Sequence, residues 1–226
     1  KQLAAQTGLN VPIITYQGAL VKNLLDGKVL LERHVPVEAA LKLGKYCLEN
    51  NLHLQTYIDD KLYAREENEK LVAYAQLNNT QFYWEPDFEK LFSQPTPKML
   101  IIDDPAFLDE LAPKLHELLG DQVHITKSKP HFLEIMHREG TKGHALAFLA
   151  DYFGCTLEQC IAIGDSWNDH EMLEAAGLGV AMGNAIEPLK AIADFISTSN
   201  NDDGVKVVID KFVLNKEYFV AIIRAC

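Results

Sequence analysis

Two carboxylates and an amide follow an apolar segment in the last third of the chain. The stretch IAIGDSWNDHEML places Asp165 after the apolar run, with Asn168 and Asp169 three and four residues later. Residues at this spacing lie on one side of a starting helix. One interpretation is helix capping, with Ser166 or Asp165 as the N-cap and Asp169 offsetting the helix dipole. The other interpretation is a ligand-binding site.

A lysine and a second amide favour the ligand-binding interpretation. Lys142 lies one helix upstream, and Asn184 follows the next strand in the segment GVAMGNA. Magnesium prefers oxygen ligands and keeps water molecules, so Asp165 can bind it directly while Asp169 holds a water or Lys142. A lysine neutralises phosphoryl charge as a point cation. These residues predict a site for Mg²⁺ and a phosphate group.

Alternating helices and strands position these residues. From residue 142 the sequence predicts helix KGHALAFLADYFG, strand CIAIGD, helix NDHEMLEAAG, strand LGVAMGN, helix AIEPLKAIA, strand DFIST and helix DGVKVVIDKFVL. Units of this length predict a parallel sheet with right-handed crossovers. Ligands of such sheets lie beyond the carboxyl ends of the strands. Asp165, Asn184 and residues 198–201 are all expected at that edge.

The earlier residues mix strands and helices differently. KQLAAQTGL resembles the second half of a helix, VPIITYQGAL predicts a strand ending in a glycine turn, and Asp26-Gly27 predicts a hairpin turn. The other predicted helices are VEAALKLGKYCLENN, EENEKLVAYAQLN and PAFLDELAPKLHELLG, and the other predicted strands are LHLQTYID, PKMLIIDD, VHITKS and HFLEIMH. This block is expected to be α+β, with a sheet covered on one face.

Composition restricts the class of protein. The 226 residues, 48% of them hydrophobic, can form one large or two small packed domains. No apolar run approaches the roughly 18 residues of a membrane span, and the first residues do not resemble a signal peptide, so a cytoplasmic protein is expected. A net charge of −11 argues against nucleic acid and anionic membranes as partners. The cysteines lack metal-ligand spacing and are expected to be reduced.

Four segments in order carry a resemblance to one enzyme family. Lys142-Gly143, GDSWND, GVAMGNA and SNNDDGV resemble the core of the Cof-type phosphatases of the haloacid dehalogenase (HAD) superfamily, and the resemblance covers essentially the whole chain. It implies an α/β protein with a Rossmann-like parallel-sheet core formed by residues 1–19 and 137–226. Residues 20–136 would form a large α+β cap inserted between the two parts of the core.

The same resemblance implies roles for individual residues. Lys142 would contact the transferring phosphoryl group, with Asp169 also assigned to catalysis, and Asp165 would bind Mg²⁺. Asn168 and Asn184 would support the phosphate site. The implied reaction is Mg²⁺-dependent hydrolysis of a small phosphorylated metabolite, with a sugar phosphate favoured, through an aspartyl phosphate. The cap would close over the site and select the leaving group.

Two features depart from the family pattern. Gln17-Gly18-Ala19 stands where the family usually has Asn-Gly-Ala. The Asp-x-Asp-Gly-Thr motif that supplies the nucleophile, and the Ser or Thr that follows it, are not found in residues 1–226. The nucleophile is therefore expected upstream of Lys1, with a vacancy or an added strand beside CIAIGD. The other aspartate pairs are interpreted as caps or turns: Asp59-Asp60, Asp103-Asp104 and Asp202-Asp203.

Two other functions stay open. A phosphomutase or phosphotransferase of the same superfamily would pass the phosphoryl group to a hydroxyl instead of water. A domain without a nucleophile would bind a phosphorylated ligand and not turn it over. The sequence does not identify the substrate-binding residues of the cap, where Lys129, His131 and Glu134 are more readily explained by packing or solvent exposure.

Overall fold

The computed structural model of this chain describes residues 11–214, so the helix expected in the first nine residues lies outside the described part. The chain divides into two compact units, residues 1–145 and 146–226. In the described part, no helix is both long enough and apolar enough to cross a membrane. The predicted core and cap boundaries at residues 20 and 136 stay a prediction.

A three-stranded antiparallel sheet opens the first unit. Its strands are β1 (Pro12–Thr15), β2 (Leu20–Asn23) and β3 (Val29–Glu32), in the order β1-β2-β3. The predicted hairpin turn between β2 and β3 is confirmed. Gly27 has a φ of +70°, and the Asp26 carboxylate accepts a hydrogen bond from the backbone N–H of Lys28 at 2.8 Å. Both residue types favour a tight turn, glycine by its free φ and aspartate by bonding nearby backbone.

A six-stranded mixed sheet forms the rest of the first unit. Its strands are β4 (Leu54–Ile58), β5 (Lys61–Ala64), β6 (Phe82–Trp84), β7 (Met99–Ile102), β8 (Val123–Lys129) and β9 (Phe132–His137). They lie in the order β6-β5-β4-β7-β9-β8. The predicted turn at Asp59-Asp60 is confirmed, with φ values of 50° and 60°. The four residues of β5 and the three of β6 were not predicted as strands, because runs this short carry little periodicity.

Helices cover both faces of this sheet, so the expectation of one covered face is wrong. The helices are α1 (Val37–Glu49), α2 (Glu69–Leu77), α3 (Phe88–Phe92) and α4 (Pro105–Leu119). Met99 and Ile101 pack in one cluster with α1, α3 and α4, whereas Leu100 packs in a second cluster with α2. Neighbouring residues of a strand point to opposite faces, so β7 serves both clusters.

A parallel sheet forms the second unit, as predicted. Its strands β10 (Ile161–Gly164), β11 (Leu178–Ala181) and β12 (Phe195–Ile196) lie in the order β10-β11-β12. The helices beside these strands are α5 (Lys142–Tyr152), α6 (His170–Ala175), α7 (Glu187–Ile192) and α8 (Gly204–Val208). The first four residues of α5 belong to the first unit. Within residues 11–214, β10 pairs with β11 alone. The strand expected beside β10 stays a prediction.

Candidate active site

The buried carboxylate of Asp169 holds the backbone at the end of β10. Asp169 is 3% exposed and lies in the 3₁₀ turn Trp167–Asp169. Its Oδ2 atom accepts hydrogen bonds from the backbone N–H groups of Asp165 and Ser166, at 2.9 and 3.0 Å. Ser166 and Asp169 also form a capping box, so the capping interpretation is confirmed for this pair. Asp169 therefore fixes the backbone that carries Asp165.

Gly164 makes room for this arrangement. A Cβ atom at Gly164 would lie 2.4 Å from the Cβ of Asp169, far inside van der Waals contact. Only glycine therefore lets the Asp169 side chain fold back beneath the strand end. Sequence reasoning missed this residue, although a glycine directly before a strand-end aspartate is a signal of close backbone approach.

Asn184 connects three loops at the carboxyl ends of the parallel strands. It follows β11, and its Nδ2 atom donates to Asp165 Oδ2 at 3.0 Å. Its Oδ1 atom accepts from the backbone N–H of Asn200 at 2.9 Å. Because a backbone N–H can only donate, this bond fixes the orientation of the Asn184 amide. The structure thus brings Asp165, Asn184 and residues 198–201 together, as the strand order predicts.

Asn168 and Lys142 complete the set of predicted site residues. Asn168 is the half-buried middle residue of the turn Trp167–Asp169. Lys142 is the first residue of α5 and belongs to the first unit, where the buried Thr141 precedes it. The catalytic roles assigned to Lys142 and Asp169, and the supporting role of Asn168, stay predictions.

The donor set at the strand ends fits a magnesium ion in part. The Asp165 side chain is exposed, and in the described residues the only hydrogen bond to its carboxylate comes from Asn184. Asp165 therefore keeps one carboxylate oxygen for a cation. No group of three or more His, Cys, Asp or Glu residues suited to a metal occurs in the described part of the chain. Magnesium commonly takes one or two carboxylates and keeps several waters, so Asp165 suits it as one ligand.

Family membership follows from a match over most of the chain. The model of the haloacid dehalogenase-like hydrolase family matches residues 1–209. The chain is a haloacid dehalogenase-like hydrolase. The resemblance to Cof-type phosphatases and the predicted α/β fold class are thereby confirmed. The chain belongs to the enzyme class of the phosphatases of this family.

Similar proteins span most of this hydrolase. A Bacillus subtilis protein named 5-amino-6-(5-phospho-D-ribitylamino)uracil phosphatase YitU is 32% identical and aligns with 95% of this chain and 78% of its own length. The crystal structure of TM0651 from Thermotoga maritima is 39% identical, with a TM-score of 0.76, over 92% of this chain and 78% of that one. A HAD subclass IIB sugar phosphatase shares the fold at a TM-score of 0.80 and 21% identity, over 93% of this chain and 78% of its own.

The first unit of the hydrolase contains a second polar region, on the six-stranded sheet. Lys98 Nζ donates to Glu134 Oε1 at 2.7 Å, and these side chains are only 8% and 2% exposed. On the same face lies Gln55, because Leu100 pairs with Gln55 on one side and with Glu134 on the other. Within the described residues, Gln55 Nε2 and Glu134 Oε2 have no hydrogen-bond partner. Glu134 is thus a packed residue, as the sequence analysis favoured. We call Gln55, Lys98 and Glu134 the cap cluster.

A row of hydrogen bonds extends from the cap cluster to the start of α2. Asn68 Oδ1 accepts from the backbone N–H of Leu71, so its Nδ2 atom is the donor to His53 Nδ1 at 3.0 Å. His53 Nε2 must then carry the proton and donate to Gln55 Oε1, also at 3.0 Å. Burial lowers the pKa of His53, consistent with this neutral form. His53 and Asn68 also line a cavity of about 400 Å³ in the first unit.

Proposed function

We propose that this hydrolase removes phosphate from a small phosphorylated metabolite, with a sugar phosphate or sugar-alcohol phosphate as substrate and Mg²⁺ held at Asp165. The observation that carries the proposal is the junction of Asp165, Asn184 and Asp169 at the ends of β10 and β11. In this junction the second carboxylate oxygen of Asp165 can accept a cation, and the Asp169 carboxylate fixes the Asp165 backbone.

Each side chain of the junction contributes a separate function. Asp165 would bind the cation, which supplies positive charge to the phosphoryl oxygens when it is bound. Asn184 keeps the Asp165 carboxylate in one orientation through its bond to Oδ2. Asp169 fixes the Asp165 backbone, and Asn168 would support the same turn. A site built this way needs little rearrangement when it binds its ligand.

Lys142 would supply a second positive charge to the phosphoryl group. It begins an eleven-residue helix, and the N-terminus of a helix also favours anions. By family resemblance, the aspartate of the family's nucleophile motif would attack phosphorus, the ester oxygen would leave, and water would then hydrolyse the aspartyl phosphate. Lys142 would balance the charge on the phosphoryl oxygens during both transfers.

The substrate class rests on two considerations. The relative YitU is named for a substrate whose phosphate is on a ribityl group, which is a sugar-alcohol chain. The family resemblance of the sequence separately favours sugar phosphates. A net charge of −11 repels phosphorylated ligands, so the attraction must be local, from the cation and Lys142. The cytoplasmic location expected from the sequence stays a prediction.

The test is phosphate release by purified protein that includes the family's nucleophilic aspartate, with Mg²⁺ and a panel of phosphorylated sugars and sugar alcohols. We expect inorganic phosphate and the free alcohol in equal amounts. Lys142→Ala should lower turnover on the order of a hundredfold or more, because one electrostatic stabiliser of the phosphoryl group is lost. Lys190→Ala, which removes a surface lysine paired with Glu187 on α7, serves as the control.

The alternatives give different results in the same assay. An isomerised or transferred phosphate, without free phosphate, would indicate the phosphomutase or phosphotransferase. Saturable binding of a phosphorylated ligand without any product would indicate the non-catalytic domain. A wild-type rate for Lys142→Ala would overturn the role proposed for Lys142.

A further inference from the structure

Three successive residues between β1 and β2 have positive φ angles. The φ values of Tyr16, Gln17 and Gly18 are 48°, 61° and 114°. For residues other than glycine, such backbone costs on the order of 1–3 kcal/mol each and persists only where the surroundings impose it. Strain of this kind often marks a functional segment. We call Tyr16–Gly18 the strained turn.

Side-chain contacts of Tyr16 hold the strained turn in place. The Tyr16 hydroxyl donates to Asp60 Oδ1 at 2.9 Å, and Lys22 Nζ donates to Asp60 Oδ2 at 2.7 Å. The rings of Tyr16 and Tyr57 lie 5.0 Å apart between centroids. Burial, followed by the bond to Asp60, raises the pKa of Tyr16, so its hydroxyl keeps the proton that it donates. The turn is thus anchored to the end of the β4–β5 hairpin.

Gly18 places its bare backbone directly against the start of α5. A Cβ atom at Gly18 would lie 2.1 Å from the carbonyl oxygen of Thr141 and 2.8 Å from the backbone nitrogen of Lys142. A Cβ built on Gly140 would likewise lie 3.2 Å from the Cβ of Ala19. Residues 18–19 and 140–142 therefore pack main chain on main chain, with no space for one added methyl group at Gly18.

The residue that Gly18 touches determines where α5 begins. The Thr141 carbonyl oxygen accepts the backbone N–H of Ala145 at 3.0 Å, and the Thr141 hydroxyl accepts the backbone N–H of His144 at 3.3 Å. Thr141 is therefore the N-cap of α5, and it is 3% exposed. Lys142 follows as the first helical residue. A shift of the Thr141 carbonyl would move the backbone of Lys142 with it.

We propose that Gly18 is a positioning residue for Lys142, acting through the contact between the strained turn and the N-cap of α5. This inference rests on the role of Lys142 in the proposed function. A Cβ at Gly18 would overlap the Thr141 carbonyl, so the observed position of the start of α5 requires glycine at residue 18. Displacement of a charge-stabilising group by about 1 Å can cost on the order of a hundredfold in rate.

The test compares two alanine substitutions at glycines with positive φ. Gly18→Ala forces a shift of Thr141, whereas Gly27→Ala, at a φ of +70°, meets no atom within 4 Å. We expect Gly18→Ala to lower kcat on the order of a hundredfold with little change in KM. Gly27→Ala should keep the wild-type kcat, because it adds a Cβ at a positive φ without any neighbouring contact.

A double-mutant cycle separates positioning from general destabilisation. If Gly18 acts through Lys142, Gly18→Ala should not lower kcat further in a Lys142→Ala background. If Gly18→Ala does not fold, Gly140→Ala replaces it in the cycle. Its added Cβ meets neighbours at 3.1–3.2 Å, so a smaller loss of kcat is expected, again absent in the Lys142→Ala background.

Three results would overturn the inference. The first is a folded Gly18→Ala or Gly140→Ala protein that keeps the wild-type kcat although Lys142→Ala lowers it. This result would contradict the positioning of Lys142 by Gly18 and leave the proposed function intact. Equal losses of kcat in both backgrounds would show that Gly18 acts independently of Lys142. A wild-type rate for Lys142→Ala itself would instead remove the role of Lys142, and this inference with it.

Discussion

The strand-end site, formed by Asp165, Asn184 and Asp169, and the cap cluster are both polar, but their charged groups differ in exposure to solvent. At the strand ends, Asp165 and Asn184 are exposed, and Asp165 keeps an oxygen for an outside ligand. In the cap cluster, Lys98 and Glu134 are 8% and 2% exposed and neutralise each other. Charged groups in the first region are available for chemistry. Charged groups in the second must satisfy each other, because a lone buried charge is strongly destabilising.

The two regions also differ in how they are held. The strand-end residues are anchored through backbone donors: Asp169 accepts two N–H groups and Asn184 accepts one. In residues 11–214, the side chains of the cap cluster bond to other side chains, as Lys98 does to Glu134 and Gln55 to His53. Changes of the exposed Asp165 and Asn184 should therefore affect activity at little cost in stability, and changes in the cap cluster should do the reverse.

The largest effect is expected for Asp165→Asn. The substitution removes the carboxylate charge without changing the shape of an exposed side chain, so Mg²⁺-dependent turnover should fall to background. The free energy of unfolding should change by less than about 0.5 kcal/mol. Phosphate release across a magnesium titration, with urea unfolding in parallel, measures both. Asp151→Asn, at an exposed position of α5, is the matched control. Wild-type turnover at low magnesium would show that Asp165 is not a ligand.

Glu134→Leu should show the reverse pattern. It leaves the Lys98 ammonium buried without its partner, so we expect a loss of about 3–5 kcal/mol in the free energy of unfolding. The double substitution Lys98→Met with Glu134→Leu removes both charges and should recover most of that loss. Equilibrium denaturation of the three proteins tests this. A double variant as unstable as the single one would mean that the packing of the cap cluster, and not its charge balance, decides stability.

Asn184→Ala should have an intermediate effect at the strand ends. The Asp165 carboxylate would lose the donor that orients it. Loss of such a supporting bond commonly costs about ten- to a hundredfold in metal affinity. The magnesium concentration for half-maximal activity should rise accordingly, while turnover at saturating magnesium falls less. Asn50→Ala, which removes an exposed amide beyond the end of α1, provides the comparison. An unchanged magnesium requirement would contradict the orienting role of Asn184.

The smallest effect is expected from the titration of His53. Its pKa is lowered in the folded protein, mainly by burial and also by Lys70, although Gln55, Glu66 and Asp103 act in the opposite direction. Below the ordinary value of about 6.5, the unfolded chain binds a proton more readily than the folded one. Stability should therefore be greatest above that pH and fall as the pH decreases, by at most about 1.4 kcal/mol per unit.

A His53→Gln variant tests this pH dependence. Glutamine keeps a polar side chain but does not titrate, so the dependence of the unfolding midpoint on pH should become flatter between about pH 6.5 and 5. His116→Gln, on the helix α4, controls for the loss of one histidine. An equal pH dependence in wild type and His53→Gln would assign the acid sensitivity to other groups.

Sequence reasoning predicted the grouping of Asp165 and Asn184 better than the contacts of the cap cluster. The alternation of strands and helices from residue 142 placed Asp165 and Asn184 at one edge, because parallel strands end on the same side. No comparable rule pairs Lys98 with Glu134, which are 36 residues apart and meet only through the order of β7 and β9. The positive φ angles of the strained turn could not be predicted either, since tyrosine and glutamine rarely adopt them. Contacts imposed by tertiary packing leave no local pattern.

The strand order of the six-stranded sheet has a consequence for how the first unit folds. The β4–β5 and β8–β9 pairs close across short turns, whereas β7 joins β4 by pairing Leu54 with Ile101. Hairpins form in about 1–10 μs, but distant pairings are slowed by the entropy of closing the intervening loop. We therefore expect the docking of β7 between two preformed hairpins to limit the rate of sheet assembly. Because Lys98 directly precedes β7 and Glu134 lies on β9, their two charges lose water only at that late step.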